Sequence, residues 1–275
     1  MMRYIKLVNF EINRFSKIYL SLLLITLVSQ FAGVIIVTKS LLKDARDIMK
    51  EERLSEAAYI TNYGGIDFSH IAHSLFFVGP IALSAVALIF YIFLIWYRDW
   101  FGKNTFIYRL LMLPTSRLSI YLSKATAIFL MVLGLIAFQI IMLPMENALF
   151  HSNVPQALLN EMSTYGITKL IPILSLIIPS SFTQFLLSYG IGLMIMSILF
   201  TAIMFERSFR IKGIIMGLLY CGIAAVLFLA PVLMEIGNFY FYPNELFGLM
   251  LAIGIILTGL SVWLGAWLLK NRVTV

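Results

Sequence analysis

The chain has 275 residues, of which 61% are hydrophobic and only 12% charged, whereas a soluble domain carries roughly 45–50% apolar and about 25% charged residues. That composition excludes a soluble globular protein and places the chain in a membrane, so its net charge of +7 bears on membrane topology and not on nucleic acid. The single cysteine, Cys221, allows no internal disulfide, cysteine-based zinc site or redox pair.

Residues 1–17 come first. At 100° per residue, Ile5, Val8, Ile12 and Phe15 share one face, and Arg3, Lys6, Asn9, Asn13, Arg14 and Lys17 gather on the other, with Phe10 as the misfit. The pattern predicts a basic amphipathic helix along the cytoplasmic headgroups, its cations Arg3, Lys6, Arg14 and Lys17 near anionic lipid. A frayed tail is the alternative.

Six apolar runs follow, at about 18–38, 75–97, 120–143, 180–204, 213–234 and 246–269. Each reaches the ~20 residues that a helix needs to cross a ~30 Å hydrocarbon core. They are continuously apolar and rich in Leu and Ile, so a barrel of alternating strands is disfavoured. The first run is too long for a signal-peptide core and is read as a retained anchor. The expected fold is all-α, one polytopic domain over residues 1–275.

With the N-terminus inside, fourteen of the twenty Lys and Arg fall on the cytoplasmic side, while ten of the thirteen acidic residues fall outside. The positive-inside rule therefore predicts cytoplasmic termini and multi-pass insertion in a cell membrane, a bacterial plasma membrane being the expected one.

Residues 39–74 form the largest polar region and are expected to hold an external helix within Leu41–Tyr59, ended by Tyr63-Gly64-Gly65. Asp67, His70 and His73 recur at three-residue steps, a spacing seen among metal ligands, but such steps drift around a helix and surface histidines are common. No metal site is assigned to them, and His151 reads as a loop histidine.

The connection 98–119 is too amphipathic for a simple turn. Asn104 or Thr105 can cap a short helix to Leu113, Pro114 stops it, and Thr115 or Ser116 can cap the next helix, which enters the membrane through Lys124. Phe106, Ile107, Tyr108, Arg109, Leu111 and Met112 suit a groove on a protein partner; the alternative is that they dip into lipid headgroups.

With the basic amphipathic start, six spans, and Leu111-Met112-Leu113-Pro114-Thr115-Ser116-Arg117 followed by Lys124, the chain resembles the permease subunits of type-2, exporter-like ATP-binding-cassette transporters. The resemblance covers the whole chain in layout, and only the Leu-Pro-hydroxyl-Arg stretch is motif-like. It implies that residues 1–17 are an interface elbow, that Thr105–Leu113 with Pro114 and Arg117 form a coupling helix docking into an ATPase, and that Glu206–Arg210 make a smaller contact. It also implies two ATPase copies, carrying ATP and Mg, and a second permease, identical or homologous. No Gly-x-x-x-x-Gly-Lys-Ser/Thr loop occurs in the chain, so no cofactor or catalytic residue is assigned to it and it is not expected to be an enzyme by itself. Charges are scarce in mid-span, which disfavours ion-coupled transport.

Polar groups within spans are Gln30, Gln139 and Gln184, and Gly213/Gly217, Ser188/Gly192 and Ser261/Gly265 are small-xxx-small pairs. Glu146, Glu235 and Glu245, with Pro144, Pro231, Pro243 and the aromatics Phe239–Tyr242, are candidates for a cargo site or a broken external gate over Pro231–Glu245; an interfacial aromatic belt is the alternative. Residues 147–179 are expected to be interfacial or re-entrant. The function expected is outward movement of a hydrophobic or amphipathic cargo, a peptide, antibiotic or lipid, driven by a separate ATPase. The alternatives are an integral membrane lipid-modifying enzyme and a regulatory subunit that transports nothing.

Overall fold

The computed structural model describes residues 2–101, 106–112, 115–170, 172–236 and 240–272. These form eleven helices: α1 (Met2–Glu51), α2 (Glu56–Tyr63), α3 (Ser69–Ala72), α4 (Leu75–Trp100), α5 (Phe106–Leu111), α6 (Arg117–Asn153), α7 (Thr164–Leu170), α8 (Pro172–Ile177), α9 (Phe182–Phe209), α10 (Ile211–Ile236) and α11 (Pro243–Asn271). No strand occurs among the described residues, and the nearest approach to one is an isolated bridge between Ile66 and Leu159. Six helices, α1, α4, α6, α9, α10 and α11, are long and apolar enough to cross a membrane, so the protein is an all-α, multi-pass membrane protein by length and composition.

The spans expected from hydropathy lie inside these helices, which overrun them wherever polar sequence continues without a breaker. α1 is the clearest case. Residues 2–51 contain no proline and one glycine, so no break separates the basic N-terminal turns from the span, and the helix carries on to Glu51 through what was expected to be a separate external helix. The N-terminal segment is therefore the first part of one fifty-residue helix and not a separate elbow. α7 and α8 are seven and six residues long, too short to cross.

The chain divides into two compact units. One comprises Phe15–Ala87 and Met131–Ser180. Its core is built on Val34, Phe68, Phe77, Leu143, Phe150 and Leu174, with Phe68 edge-on to both Phe77 and Phe150. Here α1 meets α4 at Gly33, where a Cβ would fall 2.5 Å from that of Phe76. Close approach is needed because Pro80 lies inside α4 and offers no N–H to the carbonyl of Phe76. Ser29 Oγ on α1 donates to that carbonyl instead (2.9 Å), and Gln30 Nε2 donates to the next one, Phe77 O (3.3 Å), and to Gln139 Oε1 on α6 (3.1 Å). The donor withheld by the proline is thus supplied from a neighbouring helix, as a lipid-embedded backbone requires.

The other unit comprises Met1–Arg14, Leu88–Leu130 and Ser181–Val275. In it α9 packs against both α10 and α11. Of the three small-residue pairs, two make such contacts: Gly213 and Gly217 lie against Phe205 and Ala202 of α9, and a Cβ on Gly265 would meet Tyr121 at 2.6 Å and Thr201 at 3.2 Å. Gly192 has nothing within 4 Å of its Cβ position. Thr201 Oγ1 donates to Ser261 O (2.7 Å), and Tyr220 shares a hydrogen bond with Ser261 Oγ (2.7 Å).

Candidate functional site: a buried charge node beneath the α5 connection

The second unit holds five charged side chains in one chain of contacts. Lys124, seven residues into α6, has no exposed surface. Its ammonium group donates to Glu11 Oε1 of α1 (2.6 Å), Asp99 Oδ2 of α4 (2.5 Å) and Ile95 O (3.0 Å), which uses all three of its hydrogens. It also sits 5.2 Å from the centre of the Trp96 ring. The second oxygen of each carboxylate takes an arginine: Arg14 Nη1 donates to Asp99 Oδ1 (2.6 Å), and Arg98 Nη2 donates to Glu11 Oε2 (3.3 Å). Charges therefore alternate from Arg98 through Glu11, Lys124 and Asp99 to Arg14.

Burial makes this arrangement necessary. An ion removed from water costs several kcal/mol even after relaxation, and only good geometry with every lone pair used offsets that cost. Glu11 and Asp99 are 2% and 0% exposed, and the two arginines at the rim keep 23% and 28% of their side-chain surface. Tyr91 Oη adds a bond to Glu11 O (3.2 Å). Beneath the node, Phe200 meets Trp96 and Tyr121 edge-on, each at 5.4 Å.

The node ties the ends of α4 and α6 that flank the connection 98–119 to the N-terminal part of α1. Within that connection, α5 runs from Phe106 to Leu111; Thr105 and Leu113, the ends expected for this helix, lie outside the described residues. Ile107 and Leu110 are buried and pack with Ile120, Leu7 and Trp100. Ile107 was expected to face a partner and instead anchors the helix, because it shares a face with Leu110 at a three-residue step. Arg109 and Met112 are exposed. Thr105 and Pro114 lie outside the described residues, as do the side chains of Phe106, Tyr108 and Leu111. Ser116 caps α6, its Oγ accepting from Ser119 N (3.3 Å).

Arg117, expected in the coupling contact, is engaged within the chain. Its guanidinium donates to Leu269 O and to Lys270 O (3.3 Å), carbonyls in the last turn of α11 that have no intrahelical donor. It closes a helix end, where a cation is also favoured by the helix dipole. Of the four cations expected at a lipid surface, Arg3, Lys6 and Lys17 are exposed on α1, while Arg14 is drawn into the node.

The smaller expected contact, Glu206–Arg210, is a corner with a single residue between α9 and α10. Arg210 has φ 54°, and a Cβ on Gly213 would lie 2.0 Å from Phe205 O, so no open loop exists there. Arg207 turns back over Tyr97, Trp100 and Phe101, at 4.6, 5.6 and 5.4 Å from the ring centres, and Tyr97 hydrogen-bonds Glu206. This second clamp, like the node, holds the end of α4.

The three glutamates proposed from sequence do not share one environment. Glu245 closes the start of α11, its Oε2 accepting from Tyr242 N (3.1 Å). Glu235 is exposed near the end of α10, which runs through Pro231 to Ile236, so a broken segment beginning at Pro231 is not what forms. Phe239 lies outside the described residues, and Tyr240 and Tyr242 are exposed. Glu146 belongs to the other compact unit and is fully buried. Asp67, which was weighed as a metal ligand, bonds Ser69 N (3.0 Å) and Ser69 Oγ at the start of α3. Among the described residues no three His, Cys, Asp or Glu side chains come together in a way that could hold a metal.

Sequence reasoning missed the node because its members lie on three separate helices. One trace was available: on a helical wheel Glu11 falls about 40° beyond Phe15 at 100° per residue, at the edge of the apolar face, where an acid is costly without a partner. Comparison with protein families, with curated proteins and with solved structures finds no match for the chain.

Proposed function

We propose that the chain is the membrane permease subunit of a transporter driven by a separate ATPase, moving a hydrophobic or amphipathic cargo, a peptide, antibiotic or lipid, outward across the cell membrane. The observation that carries this reading is the mounting of α5. Its inner face, Ile107 and Leu110, is embedded against Leu7, Trp100 and Ile120, while Arg109 and Met112 are left outward.

A short helix that merely rested in headgroups would need no such backing. A helix that receives a push needs a stiff base, and the charge node and the Arg207 clamp supply one by tying α1, α4, α6 and α9 together around the connection. Closely packed groups pass displacement on with little loss. The layout of spans and the Leu111–Arg117 stretch, which resemble type-2 ATP-binding-cassette permeases, supply the partner: two copies of an ATPase, with a second permease that is identical or homologous. On the positive-inside count, α5 and both termini face the cytoplasm.

The test is whether the full chain co-purifies from its native membrane with a phosphate-loop ATPase. Arg109→Glu with Met112→Asp is expected to lower recovery of the ATPase at least tenfold while the unfolding temperature of the membrane chain stays unchanged. A chain that purifies alone, with no ATPase partner in any condition, ends this reading.

A further inference from the structure

Glu146 sits in α6 on the same helical face as Gln139, Met142, Leu143 and Phe150, all of them buried. It has no exposed surface, and neither carboxylate oxygen has a hydrogen-bond partner. Among the described residues, no ion pair reaches it. His151 lies five residues on, about 140° around the helix at 100° per residue, and its Nε2 is itself partnerless. A lone ionised carboxylate in an apolar core costs several kcal/mol, so the balancing positive charge must come from outside the chain.

The site also limits what that charge can be. One carboxylate balances one unit of charge, and among the described residues it joins no group of three or more acids, histidines or cysteines, whereas Ca²⁺ and Mg²⁺ take about six or more oxygen ligands, usually with further carboxylates. Oxygen donors stand ready in the same unit, since Thr38 Oγ1 and Ser74 Oγ are also buried without partners. The bond between Gln30 and Gln139 sets the register of α1 against α6. Thr38 is eight residues beyond Gln30 and Glu146 seven beyond Gln139, rises of about 12 Å and about 10.5 Å at ~1.5 Å per residue, and the two helices run the same way, since Tyr19 bonds Met131 below them. Thr38 and Glu146 therefore come to nearly the same level.

We propose that Glu146 is the binding residue for one small monovalent cation, a proton or an alkali-metal ion stripped of its water, with Thr38 as a second oxygen ligand. This inference does not depend on the permease reading.

The experiment uses the purified full chain in detergent, in two arms. In the first, infrared spectra of the parent and Glu146→Gln are compared with choline as the only added cation; a protonated-carboxyl band present in the parent and missing from the variant identifies the occupant as a proton. In the second, unfolding temperatures are measured in lithium, sodium, potassium and choline chloride at equal ionic strength. A rise of several degrees with one alkali ion in the parent, lost in Glu146→Gln, identifies the occupant as that ion. If Glu146→Gln does not fold, Thr38→Val takes its place in the second arm, where at least a tenfold higher salt concentration is expected for the same rise. A parent with neither the band nor an ion-specific rise overturns the proposal.

Discussion

The two compact units each bury carboxylates, and they treat them in opposite ways. Around Lys124 every charged oxygen of Glu11 and Asp99 meets a cation, and every ammonium hydrogen meets an acceptor. Around Glu146 no hydrogen-bond partner is present among the described residues, and Gln139, on the same face of α6, bonds the neutral Gln30. A saturated network fixes geometry, because removing any member strands another charge. A lone carboxylate fixes nothing and leaves room for something to arrive. The first arrangement therefore suits a base that must not yield, and the second suits a place whose occupancy changes.

The sharpest way to break that contrast is Lys124→Met. It strands Glu11 and Asp99 in the interior and is expected to lower stability by about 3–5 kcal/mol, read as a fall in unfolding temperature in detergent. Adding Glu11→Leu and Asp99→Leu to the same chain should recover part of that loss, since an apolar triad has nothing left to strand. If the single change is harmless, the node is not the rigid element described above.

A smaller loss is expected at the clamp. Arg207→Ala removes a cation from three rings and should cost about 1–2 kcal/mol, with Arg207→Lys falling between it and the parent. In the other unit, Gln30→Leu leaves the carbonyl above Pro80 with one donor fewer. Polar contacts between membrane helices average only about 0.6 kcal/mol, so a shift near that size is expected, well below the effect at Lys124. The smallest change is expected from Glu146→Leu, which should hold the stability in choline chloride within about 0.5 kcal/mol of the parent or raise it, because it deletes no bond. A collapse of the fold in that variant would mean that Glu146 is a structural partner after all, and the two units would no longer differ in kind.

The parts of this fold that could be read from sequence are those with a local cause. Six spans are legible because each is an unbroken apolar run, and the Ser116 cap and the α9–α10 and α11 glycine contacts follow from residue types at fixed spacing. Helix ends were less legible: α1 passes thirteen residues beyond its expected span, to Glu51, because polar residues such as Lys43, Arg46 and Lys50 still form helix when no breaker intervenes. The proline at 231 was a poor guide for the opposite reason, since a proline within a membrane helix need not end it. The node was hidden because Glu11, Asp99 and Lys124 look like ordinary interface charges when each is read alone. Only the packing of α1, α4 and α6 brings the two carboxylates within 2.6 Å of the Lys124 ammonium. Ile107 and Arg117 each also make a contact inside the protein that residue type does not reveal.

The corner at Arg210 bears on how the protein is made. With one residue between α9 and α10, and Gly213 pressed against Phe205 O, no length of chain is available to let one helix wait outside the bilayer while the other enters. Fifty-four helical residues have to leave the insertion machinery as a pair, already folded back at the corner. A bulkier residue at position 213 would thus be felt during synthesis, as chains that fail to insert, before it could be measured as a weaker mature protein.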